Sequence, residues 1–111
     1  MSNEPYLNYP PIDTIHPVVL LRAAADPLRL KALKILMEEG ERNCSELSSR
    51  LQVPLPTMSR NLKILRESGF TTLRKEGTTR WTSLRKNDLD NAFPGLLEQL
   101  SRLAYRMEVH Y

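Results

Sequence analysis

The sequence predicts a mainly α-helical domain carrying one small β-hairpin. Three observations lead to it. Apolar residues recur at intervals of three and four from about Leu30 to Leu65, punctuated by capping and proline signals. The pattern then changes to threonine- and aromatic-rich stretches, Phe70 to Arg74 and Arg80 to Leu84, on either side of Gly77. Helical spacing returns in Leu89, Phe93, Leu96, Leu100, Leu103 and Met107. A chain of 111 residues fits one domain, and a domain of that size buries a modest core without disulfides.

Residues 1–12 carry Pro5, Pro10 and Pro11 with little periodicity and read as a flexible arm; residues 13–111 form the domain. A first helix is expected from Asp13 to Ala25, with Pro17 in its first turn. Asp26-Pro27 reads as an N-cap followed by proline at the first helical position. That second helix runs to about Glu39, with Leu30, Leu33, Leu36 and Met37 inward and Gly40 as its stop. Asn43-Cys44-Ser45-Glu46 has the form of a capping box and opens a short third helix with Cys44, Leu47 and Leu51 on one face. Gln52 to Pro56 breaks the pattern, and a fourth helix follows, with Met58, Leu62 and Leu65 inward and Ser68-Gly69 at its end. Gly77 marks the hairpin turn, and the lone Trp81 is expected to pack under the hairpin. Pro94-Gly95 divides the last segment into a short helix up to Phe93 and a longer one with Pro94 in its first turn. The 4-3 apolar series of that segment suits a dimer seam or packing on its own domain.

Composition excludes several function classes. Cys44 is the single cysteine, so no intrachain disulfide forms, which suits a reducing cytoplasm. No apolar run approaches the roughly 18 residues of a membrane span, and the first eleven residues lack the charged and apolar regions of a signal peptide. A cytoplasmic chain without a membrane partner is expected. No serine-histidine-acid set, glycine-rich phosphate loop or paired carboxylate motif is evident, so an enzyme is not expected. Net charge is only +3, but it is unevenly spread. Between Arg60 and Lys86, eight basic residues face two acidic ones, while the remainder of the chain is net acidic. Concentrated positive charge is the footprint of a polyanion binder.

A short helix, a tight turn and a second amphipathic helix make a helix-turn-helix, and the hairpin after it supplies a wing. The outer set of the second helix is read as Thr57, Ser59, Arg60, Asn61 and Lys63. Arg60 suits bidentate bonding to guanine and Asn61 to adenine, while Thr57 and Ser59 lie near the helix start, where phosphates are favoured. Arg74, Lys75 and Arg80 flank the hairpin turn and suit phosphates or a minor groove. Double-stranded DNA is the expected partner.

Ala25-Asp26-Pro27-Leu28-Arg29-Leu30, Cys44-Ser45-Glu46-Leu47, Thr57-Met58-Ser59-Arg60-Asn61-Leu62-Lys63-Ile64-Leu65-Arg66-Glu67-Ser68-Gly69 and Arg74-Lys75-Glu76-Gly77 resemble the ArsR/SmtB family of winged helix-turn-helix repressors. The likeness covers about Leu20 to Leu100. It implies a homodimer through the first and last helices on an inverted-repeat operator. Many members sense metals, but the family's ligand positions are not matched. The Cys-x-Cys positions of the arsenic or cadmium type hold Asn43 and Ser45, with Cys44 between them. The zinc-type positions hold Asp88, Asp90, Ser101 and Ala104. His16 and His110 lie near opposite ends and read as surface residues. Leu89 to Leu97 looks like the segment opening the last helix in a branch with no known metal role. The expectation is a repressor without metal or cofactor, with an unknown small-molecule inducer as an open partner. Leu55 and Pro56 stand where the family has polar residues, which motivates the alternative of a protein-interaction module that has lost DNA binding.

Overall fold

The computed structural model describes residues 9–110, with the side chains of Val109 and His110 outside that description. Residues 1–8 of the expected arm therefore lie outside the described residues, as does the side chain of His110. Six helices and three short strands are arranged as α1 (Pro17–Ala24), α2 (Pro27–Glu39), β1 (Arg42–Asn43), α3 (Cys44–Leu51), α4 (Leu55–Ser68), β2 (Thr71–Glu76), β3 (Thr79–Leu84), α5 (Lys86–Ala92) and α6 (Leu96–His110).

Local signals set most boundaries, and three expected boundaries move. The first helix starts at Pro17 rather than Asp13; Ile12–Thr14 is a separate 3₁₀ turn. Proline lacks an N–H and its ring fits only the first turn, so Pro17 opens α1. His16 caps it, Nδ1 accepting from the Val18 N–H at 3.1 Å. The prolines after Gln52 likewise open α4 instead of delaying it, with Pro54 at the N-cap and Leu55 the first helical residue. Pro94 lies outside α6, in the turn Pro94-Gly95, where Gly95 has φ 85°.

The remaining caps follow the sequence closely. Asp26 accepts from the Arg29 N–H at 3.0 Å. The capping box on α3 is complete: Glu46 N–H donates to Asn43 Oδ1 at 2.8 Å, and Asn43 N–H donates to Glu46 Oε1 at 3.0 Å. Between α3 and α4, Gln52 takes the left-handed conformation at φ 57°, and Val53 N–H bonds back to the Ser48 carbonyl at 3.1 Å. Ser48 Oγ donates to the Val53 carbonyl, closing the turn from both sides. Gly69, at φ 111°, ends α4 against Ile15; a Cβ there would lie 2.3 Å from Ile15 Cδ1, so only glycine fits.

The strands form one antiparallel sheet in the order β1-β3-β2. β1 pairs Arg42 with Thr82 and Asn43 with Trp81. Two residues carry no period, which is why the sequence pattern showed only a hairpin. Glu76 faces Thr79 across the two-residue turn, and Gly77 supplies its positive φ of 61°. Thr71, Leu73 and Thr82 point into the core. Trp81 alternates to the opposite face, half-buried beside Arg74, rather than packing under the hairpin.

The core gathers Leu20 of α1, Leu33 of α2, Leu47 of α3, Met58 and Leu65 of α4, Leu89 of α5 and Phe70 from the turn before β2. α6 packs along α2 through Leu97, Leu100 and Ala104. The 4-3 series is thereby split: Leu100 is buried, whereas Leu103 is 52 % exposed. At the start of the described chain, Arg85 is buried with its guanidinium 4.8 Å from the Tyr9 ring centroid. Its Nη1 donates to the Pro10 carbonyl at 2.7 Å, so residues 9 and 10 are held against the start of α5.

Candidate nucleic-acid interface

α4 presents a narrow stripe to solvent because its opposite side, Met58, Asn61, Leu62 and Leu65, is committed to the core. The exposed positions are Leu55, Pro56, Ser59, Arg60, Lys63 and Glu67, of which Glu67 borders the α1 side rather than the wing. Leu55, Ser59 and Lys63 are spaced by four and share one row. Pro54 provides no side-chain cap, and Pro56 has no N–H to offer.

Asn61 does not belong to this stripe. It is 8 % exposed, and both ends of its amide are occupied. Oδ1 accepts from Arg29 Nη1 at 2.9 Å, and Nδ2 donates to the Thr57 carbonyl at 2.8 Å. The expected adenine reader is a structural residue instead. Its spacing gives the reason, because position 61 falls three after Met58 and four before Leu65, on the buried stripe. Thr57 is half-buried between the two faces.

In the wing, Lys75 and Arg80 are direct cross-strand partners two residues beyond the inward pair Leu73–Thr82, so all four lie on one face. Arg74 points to the other face with Trp81. There Arg74 Nη2 bonds Glu41 Oε1 at 2.7 Å and Nη1 bonds Glu76 at 3.1 Å, while Glu41 also accepts from Ser83 at 2.6 Å. The Arg74 guanidinium holds the Glu41 carboxyl below the usual carboxylate range. Arg74 is therefore occupied and turned away from α4, which separates it from the other expected wing contacts.

A hollow of about 580 Å³ lies between the α4 stripe and the wing. Ser59, Arg60, Lys63, Arg66 and Arg80 line it, together with Cys44. Arg66 is not in the expected set, although its place three residues after Lys63 puts it on the neighbouring side of α4, facing the hollow. The eight basic residues of the 60–86 segment thus divide by partner. Arg74, Arg85 and Lys86 pair with Glu41, Asp88 and Asp90. Among the described residues, no carboxylate lies within ion-pair distance of Arg60, Lys63, Arg66, Lys75 or Arg80. Like charges directly opposite in a hairpin are destabilising, so Lys75 facing Arg80 has no purpose in the isolated fold. A concave, cationic face beside an uncapped helix start suits a polyanion.

Cys44 is half-buried, and its Sγ lies 3.9 Å from the Leu55 carbonyl. Burial pushes its thiol above the ordinary range, which lowers its reactivity at neutral pH. Asp88 and Asp90 are engaged by Arg85 at 3.2 Å and Lys86 at 2.6 Å. Among the described residues, no three His, Cys, Asp or Glu side chains gather as a metal ion would require. No helix among them is long and apolar enough to cross a membrane.

Residues 24–74 match the model of a helix-turn-helix domain family. The chain is 34% identical over 82 residues to the uncharacterized HTH-type transcriptional regulator YceK of Bacillus subtilis, covering 73% of this chain and 82% of the relative. It is 36% identical to the transcriptional activator HlyU of Vibrio cholerae, covering 78% of this chain and 75% of the relative. The solved HlyU structure superposes with a TM-score of 0.66, covering 78% of this chain and 88% of that one. Mb0332 from Mycobacterium bovis superposes with a TM-score of 0.67 at 26% identity, covering 85% and 82% of the two chains. That protein is described as a homodimeric winged helix-turn-helix DNA-binding domain and a possible ArsR-family regulator.

Proposed function

The chain belongs to the ArsR/SmtB family of winged helix-turn-helix transcriptional regulators, and from that membership we propose that it is a homodimeric repressor acting on an inverted-repeat operator without the family's metal sites. The observation that carries DNA contact is the hollow that Arg60, Lys63, Arg66 and Arg80 line with no carboxylate among its lining residues, with Lys75 directly across from Arg80. α4 enters the major groove, with Arg60 placed for a base edge and Ser59 for a phosphate or base. Lys75 and Arg80 engage the neighbouring backbone. Thr57 serves the helix start from its half-buried position.

Dimerisation is supported by apolar side chains that the single chain leaves in water. Leu21 of α1 is 53 % exposed, and Leu103 of α6 is 52 % exposed, with Val18, Val19 and Tyr105 also open. Large exposed apolar groups on two helices mark an association surface. A two-fold dimer presents two α4 helices to two half-sites, which accounts for an inverted repeat.

The reading omits metal because the zinc-type positions Asp88 and Asp90 are spent on Arg85 and Lys86, and a single thiol does not make a soft-metal site. A small-molecule inducer has room in a hollow of about 640 Å³ between the end of α2, β3 and the α5–α6 turn, within the usual range for such sites.

Selection of bound fragments from genomic DNA, followed by titration of the recovered duplex, tests the proposal. Wild type is expected to recover a fragment carrying an inverted repeat, and Arg60→Ala to bind it at least tenfold more weakly while melting at the wild-type temperature. Recovery of no preferred fragment, or undiminished affinity in the variant, contradicts the reading.

A further inference from the structure

We infer that Leu55 is a specificity-determining residue that reads the 5-methyl group of a thymine in the operator. The inference rests on the DNA-binding reading above and concerns the base contact at the leading end of α4. Leu55 is the first residue of that helix and is 51 % exposed. It lies outside the hydrophobic core. It shares its row with Ser59 and Lys63, so the surface that carries the cations also carries Leu55 at its tip. In helix-turn-helix docking, the N-terminal residues of the second helix meet base edges.

At the very tip of α4, ahead of Thr57 and Ser59, no polar side chain is offered. Pro54 offers no cap hydrogen bond, Pro56 has no N–H, and the Asn61 amide is bonded to Arg29 and Thr57. The thymine methyl is the one apolar group in the major-groove code, and it is the complement of an exposed leucine. The two flanking prolines fix φ on either side, so Leu55 is held out on a stiff turn with little backbone freedom to lose.

The test replaces single thymines of the selected duplex by deoxyuridine, which deletes only the methyl. Wild type is expected to lose about fourfold in affinity per half-site at one thymine position, the effect of burying one methyl group. Leu55→Ala is expected to bind the thymine and uracil duplexes equally, and its exposed position keeps folding intact, checked by circular dichroism. If every uracil duplex binds wild type as tightly as the parent, or if Leu55→Ala still discriminates, the inference is overturned while DNA binding stands. If no duplex is bound in a salt-sensitive way, the functional reading itself falls, and the inference with it.

Discussion

Arg29 Nη1 donates to Asn61 Oδ1 at 2.9 Å, tying the first turn of α2 to the middle of α4. The same guanidinium donates through Nε to the Ala23 carbonyl at the end of α1 at 2.7 Å. One side chain therefore joins the end of α1, the first turn of α2 and the middle of α4. Asn61→Ala leaves Arg29 short of an acceptor in a partly buried place, at a cost of about 1–3 kcal/mol. At roughly 4–8 °C per kcal/mol for a domain of this size, the melting temperature falls measurably. An unchanged melt would remove Asn61 from the set of structural residues.

The wing cations are expected to divide by face. Lys75→Ala and Arg80→Ala each reduce the magnitude of the slope of log K against log salt by about 1 per protomer contact. Arg74→Ala leaves that slope in place and lowers the melting temperature, because its partners are Glu41 and Glu76. Titrations of the three variants at several salt concentrations check this, and a reduced slope for Arg74→Ala would reverse the assignment of faces.

The proposed association through α1 and α6 would place Leu21 and Leu103, both exposed in the single chain, in the interface. A charge at either position is strongly disfavoured there and harmless on a free surface. Leu103→Glu is expected to sediment as a monomer at concentrations where the wild type is a dimer, with its helical content intact. A dimeric Leu103→Glu variant would move the interface elsewhere.

Acid stability carries a signature at Glu39. The Arg50 guanidinium bonded to it holds its carboxyl at about 2, against 4.5 for the free group. A folded pKa below the unfolded one stabilises above the unfolded value, and the contribution is lost as pH falls from about 4.5 toward 2. Glu41 shifts in the same direction through Arg74. Both pairs are partly open to solvent, so the effect is modest. Denaturation midpoints of Glu39→Gln are expected to fall less steeply than those of the wild type across that window; parallel curves would exclude the contribution.

Much of the fold was legible because its boundaries rest on local chemistry. Asp26-Pro27, the Asn43–Glu46 box, Gly69 and Gly77 each satisfy a backbone requirement within a few residues, and such requirements are visible in sequence. Met58, Leu62 and Leu65 gave the buried side of α4 for the same reason. Asn61 was misplaced because its residue type suits a base edge, whereas its spacing places it among the buried positions. Arg74 was misplaced because Glu41, its partner, lies 33 residues away and meets it only in the folded chain. β1 was missed because its two residues acquire strand character from β3 alone.

The central claim is that the α4–wing face binds duplex DNA as a polyanion and a sequence at once. Affinity for the selected duplex, measured by fluorescence anisotropy from low to physiological salt, tests it most directly. Five free cations per protomer, or ten in a dimer, set an upper limit of roughly −9 for the slope of log K against log salt. A slope steeper than about −4, together with preference for the selected duplex over a scrambled one, is the predicted result. A slope near zero, or equal affinity for both duplexes, would contradict the account.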